Sequence, residues 1–552
     1  MKRGVGIILA LLVVSTARAQ FDAGAEAFRR QEQREALERE RIESRPDVQL
    51  PRPERITPEA IPDERPCFQV ARIDVAGAAG RLSFLNDAAA RYAGRCLGVQ
   101  GINAVVAALQ GDLIERGLVT TRVLVPEQDL ARGTLSLTVV PGLIGDIRFA
   151  EPQTHATLAN AFTMPPGSLL DLRDLEQGLE QMQRLPSQDV QVDIVPGDVP
   201  GTSDVVVRRE TTRPLRAIVG IDDSGQTVTG RYQAAVTLAI DGPLGLNDLF
   251  YVAHNQAVDT AGGTRDSAGT NVYYSIPYGW WTFSLAAATF DFKQTITGAA
   301  QTFTSTGDTQ TYDARLARVV YRSGTARTTV QFRVQQRESR NYLDDIEILA
   351  QRRKLTAAEL AVVHRQRFGR VVLDAALGYR QGVAWFGAED PVPDPGPDTP
   401  DPRYRMVTWD VSVAVPFSIA GTPARYLGAF RGQYTRDALF SQDFFSIGNR
   451  YTVRGFDGQR TLASDRGWLV RNELAAPVPI PGHEVYAGLD YGQVSGVATQ
   501  QFASRHLTGA VAGFRGGFRG WLYEAFVGWA LWKPEWFPSS TPTYGFQLLY
   551  AF

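Results

Sequence analysis

The side chains best placed to do chemistry in this chain are one arginine and one carboxylate. Arg454 lies in Val453-Arg454-Gly455-Phe456, followed by Asp457-Gly458, inside a long connecting segment that leads into a strand. Asp490 lies in Gly488-Leu489-Asp490-Tyr491-Gly492, where residues alternate in character. Val485, Ala487, Leu489 and Tyr491 form one apolar face of that strand. Glu484, Tyr486, Gly488, Asp490 and Gly492 form the other, because successive strand residues point to opposite sides. Gly488 and Gly492 flank Asp490 on its own face and leave room for a close neighbour. Arg471 and Glu473 share that face from the preceding strand by the same parity. An arginine that meets such a carboxylate makes a charge-assisted pair, bidentate where geometry allows. Spacing alone leaves two outcomes open: a pair that holds the loop, or two unrelated charges.

No enzymatic constellation accompanies this pair. Lysine occurs only at Lys2, Lys293, Lys354 and Lys533, none after a glycine, so there is no phosphate-binding P-loop. His155, His254, His364, His483 and His506 are scattered, with no metal-binding helix motif. No cysteine pair has zinc spacing, and no Gly-x-Ser-x-Gly elbow is present. The expectation is no catalytic residue, no metal and no cofactor. A net charge of −2 over 552 residues also argues against a dedicated nucleic-acid binder.

The elements that must position Arg454 and Asp490 follow from composition and period. Aromatics at 10%, 52 glycines and a mean hydropathy of −0.17 suit a glycine- and aromatic-rich β protein. Residues 1–19 read as a secretory signal: Lys2 and Arg3, an apolar run from Gly4 to Val14, and Ala17-Arg18-Ala19 for cleavage. Residues 20–45 are dense in both charges and include the i,i+4 pairs Glu26–Arg30 and Glu35–Arg39, which predicts a helix. A helix polar nearly all round either sits in water or lines a polar cavity. Residues 46–66 carry Pro46, Pro51, Pro53, Pro58, Pro62 and Pro66 and read as an extended linker.

Residues 67–142 and 143–212 repeat a β-α-α-β-β pattern, the second copy with helices expected near Ala156–Phe162 and Leu172–Leu185. Cys67 and Cys96 are the only cysteines, and in an oxidising compartment they most simply form one disulfide. Closing a loop of about 30 residues is worth roughly 3–4 kcal/mol in the chain-entropy model. From 213 to 552 the period becomes two and stays there. Val407, Trp409, Val411, Val413, Val415 and Phe417 share one face, opposite Thr408, Asp410 and Ser412. Strands of about ten residues, apolar on one side and polar or small on the other, mark a transmembrane β-barrel. Sixteen candidate strands start near residues 215, 229, 248, 270, 280, 308, 325, 355, 370, 403, 425, 467, 483, 506, 521 and 543. Short turns such as Pro277–Gly279 and Gly517–Gly520 alternate with longer loops at 293–307, 339–354, 390–402 and 438–466. That alternation puts both termini on the periplasmic side.

The order of signal, charged helix, proline-rich linker, two β-α-α-β-β modules and barrel resembles the outer-membrane transporters of two-partner secretion. Val453–Phe456 resembles their VRGY/F loop motif and Gly488–Gly492 the strand motif that partners it. The modules resemble POTRA domains. The resemblance implies a mainly β protein: a sixteen-stranded antiparallel barrel, a leading helix that plugs its lumen, and a loop 438–466 folded inward on an Arg454–Asp490 latch. Val453, Gly455, Phe456, Gly488 and Gly492 would be the latch's neighbours. It further implies a secreted exoprotein client, outer-membrane lipid around the barrel, and a monomer. Phe552, with Tyr550 two residues before it, resembles the signal read by the barrel-assembly machinery. A barrel insertase of the same superfamily and a gated porin-like channel remain open as alternatives.

Overall fold

The computed structural model describes residues 24–43, 47–51 and 61–552, apart from 299, 397, 501 and 503. The expected signal peptide and much of the proline-rich stretch lie outside the described residues.

Sixteen antiparallel strands close into one barrel, from Leu215–Asp222 to Thr543–Ala551. Each pairs with its neighbour in sequence, and the sixteenth returns to the first through Gln547↔Asp222 to Ala551↔Ile218. A two-residue strand, Ile346–Glu347, only decorates one hairpin tip. The count of sixteen matches the alternation in the sequence. Val407, Phe430, Leu474, Leu489 and Trp529 are exposed on the outside, while Thr237, Asn271 and Ser284 are buried within. Tyr550 and the exposed Phe552 stack edge to face, and the Phe552 amide donates to the Ala217 carbonyl at 2.9 Å across the closing seam.

Strand length departs from the expectation of about ten residues. The fifth to seventh strands, Trp281–Thr297, Thr302–Arg322 and Ala326–Leu343, run for 17, 21 and 18 residues. The stretches read as loops at 293–307 and 339–354 are therefore mostly paired strand. Thr295, Thr297, Thr302, Thr304 and Thr306 supply β-branched residues that keep the ladder going to Thr297↔Thr302. About ten tilted residues cross the apolar band, so the remainder stands above it.

The first module buries Leu85, Leu97, Val105, Leu109, Leu113, Leu135 and Leu137 between a small sheet and two helices. Val105, Leu109 and Leu113 recur every fourth residue on the helix Val99–Glu115, which sets its inner face. Glu64 accepts hydrogen bonds from the amides of Gly98, Gln100 and Gly101 at that helix's N-terminus, at 2.6–3.0 Å. Desolvation raises this carboxyl, and the three amide hydrogen bonds together outweigh it and hold it below the usual range. Cys67 and Cys96 are joined as a disulfide.

The second module has the strands Leu143–Phe149, Gln188–Pro196 and Thr202–Thr211 and one helix, Leu172–Gln183. The helix expected near 156–162 is not formed; only a single turn closes, with the Phe162 amide donating to the Leu158 carbonyl at 2.7 Å. Contact with the barrel overrides local propensity here. The Asn247 side chain donates to the Thr157 carbonyl at 3.0 Å and to the Asn160 amide oxygen at 2.8 Å, and the Gly279 amide donates to the Asn160 carbonyl at 2.7 Å. The helix Leu172–Gln183 also docks on the barrel's turns. Arg322 pairs with Glu176 and Glu180, Arg327 pairs with Glu180, and the Gln181 amide donates to the Gly279 carbonyl at 2.8 Å.

Asp174 sits in the first turn of that docked helix. Burial, reinforced by the neighbouring Asp171, pushes its carboxyl up to about 6, against the opposing pull of Arg81 and a hydrogen bond from Trp280. A carboxyl with a raised value favours the docked state while protonated, and this contribution is lost as pH rises through about 6. Asp174→Asn is expected to stabilise the protein by about 3 kcal/mol near pH 7.5 and to be neutral below pH 4. Thermal unfolding of the whole chain in detergent across that range checks this; an equal effect at both ends contradicts it.

Candidate functional site: the plugged lumen

Two segments fill the barrel: the helix 24–42 and the loop 438–466. The loop is folded on itself by a short ladder, Phe445–Ile447 with Leu462–Ser464. Its tip brings Arg454 against Asp490. Arg454 Nε donates to Asp490 Oδ2 at 2.7 Å, Nη2 to Oδ1 at 2.9 Å, and the Arg454 backbone amide to Oδ2 at 3.0 Å. The remaining Nη1 donates to Glu473, and Nη2 also reaches the Asn472 carbonyl at 3.3 Å. Arg454 is 5%, Glu473 7% and Asp490 1% exposed, so the pair is desolvated and its lone pairs are satisfied. Of the two outcomes the spacing left open, the geometry is that of a fork-on-carboxylate pair.

The guanidinium reaches Asp490 because the wall has no side chains in its way. A Cβ on Gly488 would lie 2.5 Å from Arg454 Nη2, and one on Gly492 would lie 2.7 Å from Val453 Cγ2. Gly455 has φ +99°, and a Cβ there would meet the Trp529 carbonyl oxygen at 2.4 Å. Val453 and Phe456 anchor the tip in an apolar cluster with Ile447, Leu462, Leu469 and Phe537. Two further glycines complete the cradle and do not stand out in the sequence. A Cβ on Gly509 would lie 1.8 Å from the Arg454 carbonyl oxygen, and one on Gly528 would lie 2.8 Å from Gly455 Cα. The register Asp490↔Gly509 is the signal that could have found the first of them. The ion-pair chain extends sideways: Arg515 bridges Glu473 and Glu484, and Arg471 Nε stands 4.0 Å from Asp490.

The helix is polar nearly all round because it is surrounded by polar wall, not by bulk water. Glu26 accepts from Asn449 and from Thr461 of the loop, each at 3.0 Å, and pairs with Arg29 and Arg30 on its own helix. Arg29 donates to the Ser441 carbonyl and Arg30 to the carbonyls of Ser224 and Gly458. Arg337 joins Glu32 of the helix at 2.9 Å to Asp443 of the loop at 3.2 Å. At the other end Glu43 pairs with Arg184 of the second module at 2.7 Å. None of these cross-element contacts was visible in the sequence, since each joins residues remote in the chain.

A closed barrel with a polar, plugged lumen and two small modules at its periplasmic end defines an outer-membrane transporter. The chain belongs to the Haemolysin secretion/activation protein ShlB/FhaC/HecB family, whose profile matches residues 201–516. A ShlB-type POTRA domain matches 68–142 and a further POTRA domain matches 143–196. The Outer membrane transporter CdiB-2 of Burkholderia pseudomallei (strain 1026b) is 40% identical over 98% of this chain and 95% of its own. The Hemolysin transporter protein ShlB of Serratia marcescens is 27% identical over 75% of this chain and 73% of its own. The solved structure of CdiB from Escherichia coli superposes with a TM-score of 0.87 at 30% identity, covering 96% of this chain and 99% of that one. The protein resides in the outer membrane, with its POTRA modules in the periplasm.

A side chain at position 509 cannot coexist with the seated loop. Gly509→Val is expected to leave a folded, heat-modifiable barrel but to make loop 438–466 cleavable by protease added to intact cells. An unchanged cleavage pattern would show that the seat tolerates a Cβ and would refute the cradle.

Proposed function

We propose that this chain carries one unfolded partner exoprotein, of the adhesin or haemolysin type, from the periplasm to the cell surface. The named relatives that match it over most of their length are transporters, including a hemolysin transporter, and this supports the reading. The observation that carries it is a wet lumen filled by a helix that is tied down by side-chain contacts and covalently joined only through the linker. A permanent wall would need no such design.

The POTRA modules capture the client. Arg72–Ala76 and Gln188–Pro196 each lie at the edge of their sheet. An extended client can add to such an edge through main-chain hydrogen bonds. The helix 24–42 then leaves the lumen while Arg454 and Asp490 keep the loop seated against the wall. The protein is a conduit and not a catalyst, and client folding outside the cell gives transport its direction without nucleotide hydrolysis. Closure of the barrel within one chain supports a monomer, and the terminal Phe552 with Tyr550 would be presented to the assembly machinery during biogenesis.

The test is surface display of the client in cells carrying Arg454→Ala or Arg454→Lys. Breaking one partner of a buried pair costs about 3–5 kcal/mol. Arg454→Ala is expected to cut display at least tenfold with normal barrel levels, and Arg454→Lys, which keeps charge but not the fork, to fall between. Undiminished display in Arg454→Ala overturns the latch. Client that still reaches the surface when the whole chain is deleted overturns the transport reading itself.

A further inference from the structure

The lipid-facing surface carries a cationic cluster that the transport reading does not use. Arg405 opens the tenth strand (Arg405–Ile419), Arg436 follows the eleventh (Thr422–Thr435), and Arg466 opens the twelfth (Arg466–Pro477). The rungs Met406↔Thr435 and Val407↔Tyr434 bring Arg405 opposite Arg436, and Gln433↔Gly467 brings Arg466 beside Tyr434. Their parity is that of Val407 and Trp409, the outward face. The Arg466 guanidinium lies 5.8 Å from the centre of the Tyr434 ring, and Arg436 also reaches the Tyr434 hydroxyl. Arg405 and Arg436 are exposed and Arg466 half-buried.

Among the described residues, no carboxylate forms an ion pair with any of the three. Asp437, next in the chain, instead turns its carboxylate to the Arg405 backbone amide at 2.7 Å. Outward charges elsewhere on this rim are mixed in sign: Asp291 and Asp308 stand beside Lys293 and Arg340. The positive charge at the tenth to twelfth strands therefore sets them apart from the fifth to seventh, where the outward charges are of both signs.

The cluster's depth identifies what faces it. Directly below it runs a continuous belt of rings: Trp409–Phe430 at 5.8 Å, Phe430–Trp468 at 6.1 Å, and Trp468–Tyr491 at 5.3 Å. Aromatic belts mark the level where hydrocarbon meets headgroups. The 15-residue tenth strand rises about 35 Å from Ile419 to Arg405 at about 3.3 Å per residue and a tilt of about 40°, against an apolar band of about 25 Å. The three guanidiniums thus stand at the phosphate level of the outer leaflet. Arginine forks match phosphate oxygens bidentately, and basic clusters beside a membrane select anionic headgroups.

We propose that Arg405, Arg436 and Arg466 form a binding site for a phosphorylated headgroup of an outer-leaflet lipid. Arg436 and Arg466 flank the two ends of loop 438–466. The bound headgroup therefore ties together the points where that loop leaves and rejoins the barrel wall.

The test uses the full chain in detergent micelles, with native mass spectrometry to read bound lipid. The probes are purified bis-phosphorylated lipid A, the same lipid with its phosphates removed, and inorganic phosphate. The intact protein is expected to retain the phosphorylated lipid at least tenfold better than the dephosphorylated form, with millimolar phosphate displacing little of it. The triple variant R405Q/R436Q/R466Q, checked for a heat-modifiable barrel, is expected to lose about tenfold in retention. Equal retention of both lipids, equal retention by the folded triple variant, or full displacement by inorganic phosphate each overturns the proposal. Should the triple variant fail to fold, the comparison of the two lipids on the unaltered protein and the single variant R436Q, just beyond the strand, decide the question.

Discussion

The structure depends on one constraint: in lipid, every strand must find its backbone partners inside the protein. Sixteen strands satisfy it only if the last returns to the first. Here the seam is short, Gln547↔Asp222 to Ala551↔Ile218, shorter than the neighbouring ladders. It closes tightly because Gly220 offers no side chain where Leu549 packs; a Cβ there would meet Leu549 Cδ2 at 2.3 Å. Once the sheet is closed, the period of two does the rest. The face that is apolar outside leaves a face that is polar inside, and a barrel of this strand number encloses more volume than its own side chains fill.

That wet interior decides the character of everything placed in it. An apolar plug would strand the polar wall without partners, so the helix 24–42 carries arginine and glutamate in both directions. Phe28 is the exception that locates it: it packs on Phe290, with Arg337 over its ring at 4.6 Å. Buried ion pairs are weak evidence for stability, since desolvation offsets much of their attraction. Their geometric demand is strong, however. A fork on Asp490 with a third donor on Glu473 is satisfied in one arrangement of the loop, so these charges specify position more than they add free energy.

Much of this was legible in the sequence where a period or a motif stood alone. The alternation fixed strand number, and the glycines around Asp490 identified its face as one that something approaches closely. Strand length was misjudged because threonine-rich stretches read equally as loop or as protruding ladder, and only pairing with a neighbour distinguishes them. The missing helix near 156–162 has the same origin: Asn160 satisfies barrel carbonyls and Asn247, which no local propensity encodes. The site of the charged helix was ambiguous for a deeper reason. A helix that is polar on every face has the same sequence in water and in a polar lumen, and its location is set by partners such as Asn449, Thr461 and Arg337.

The two lumen elements differ in how dearly their contacts would be replaced by water. Glu26 takes Arg29 and Arg30 with it wherever the helix goes, because those pairs lie within the helix. What the helix loses on leaving is a set of bonds from its arginines to the carbonyls of Ser441, Ser224 and Gly458, which water can take over at little net cost, and three ion pairs whose members on the helix side, Glu32, Arg34 and Glu43, are already partly open to solvent. The loop has no such route. Releasing Arg454 would leave the buried Asp490 in a glycine-lined recess with only Arg471, at 4.0 Å, to offset its charge until water had filled the seat. In the proposed cycle the helix is therefore the element that moves and the loop the one that stays. The asymmetry follows from burial: the helix's ion pairs to the wall and the second module keep one member partly open to solvent, whereas Arg454, Glu473 and Asp490 are all buried.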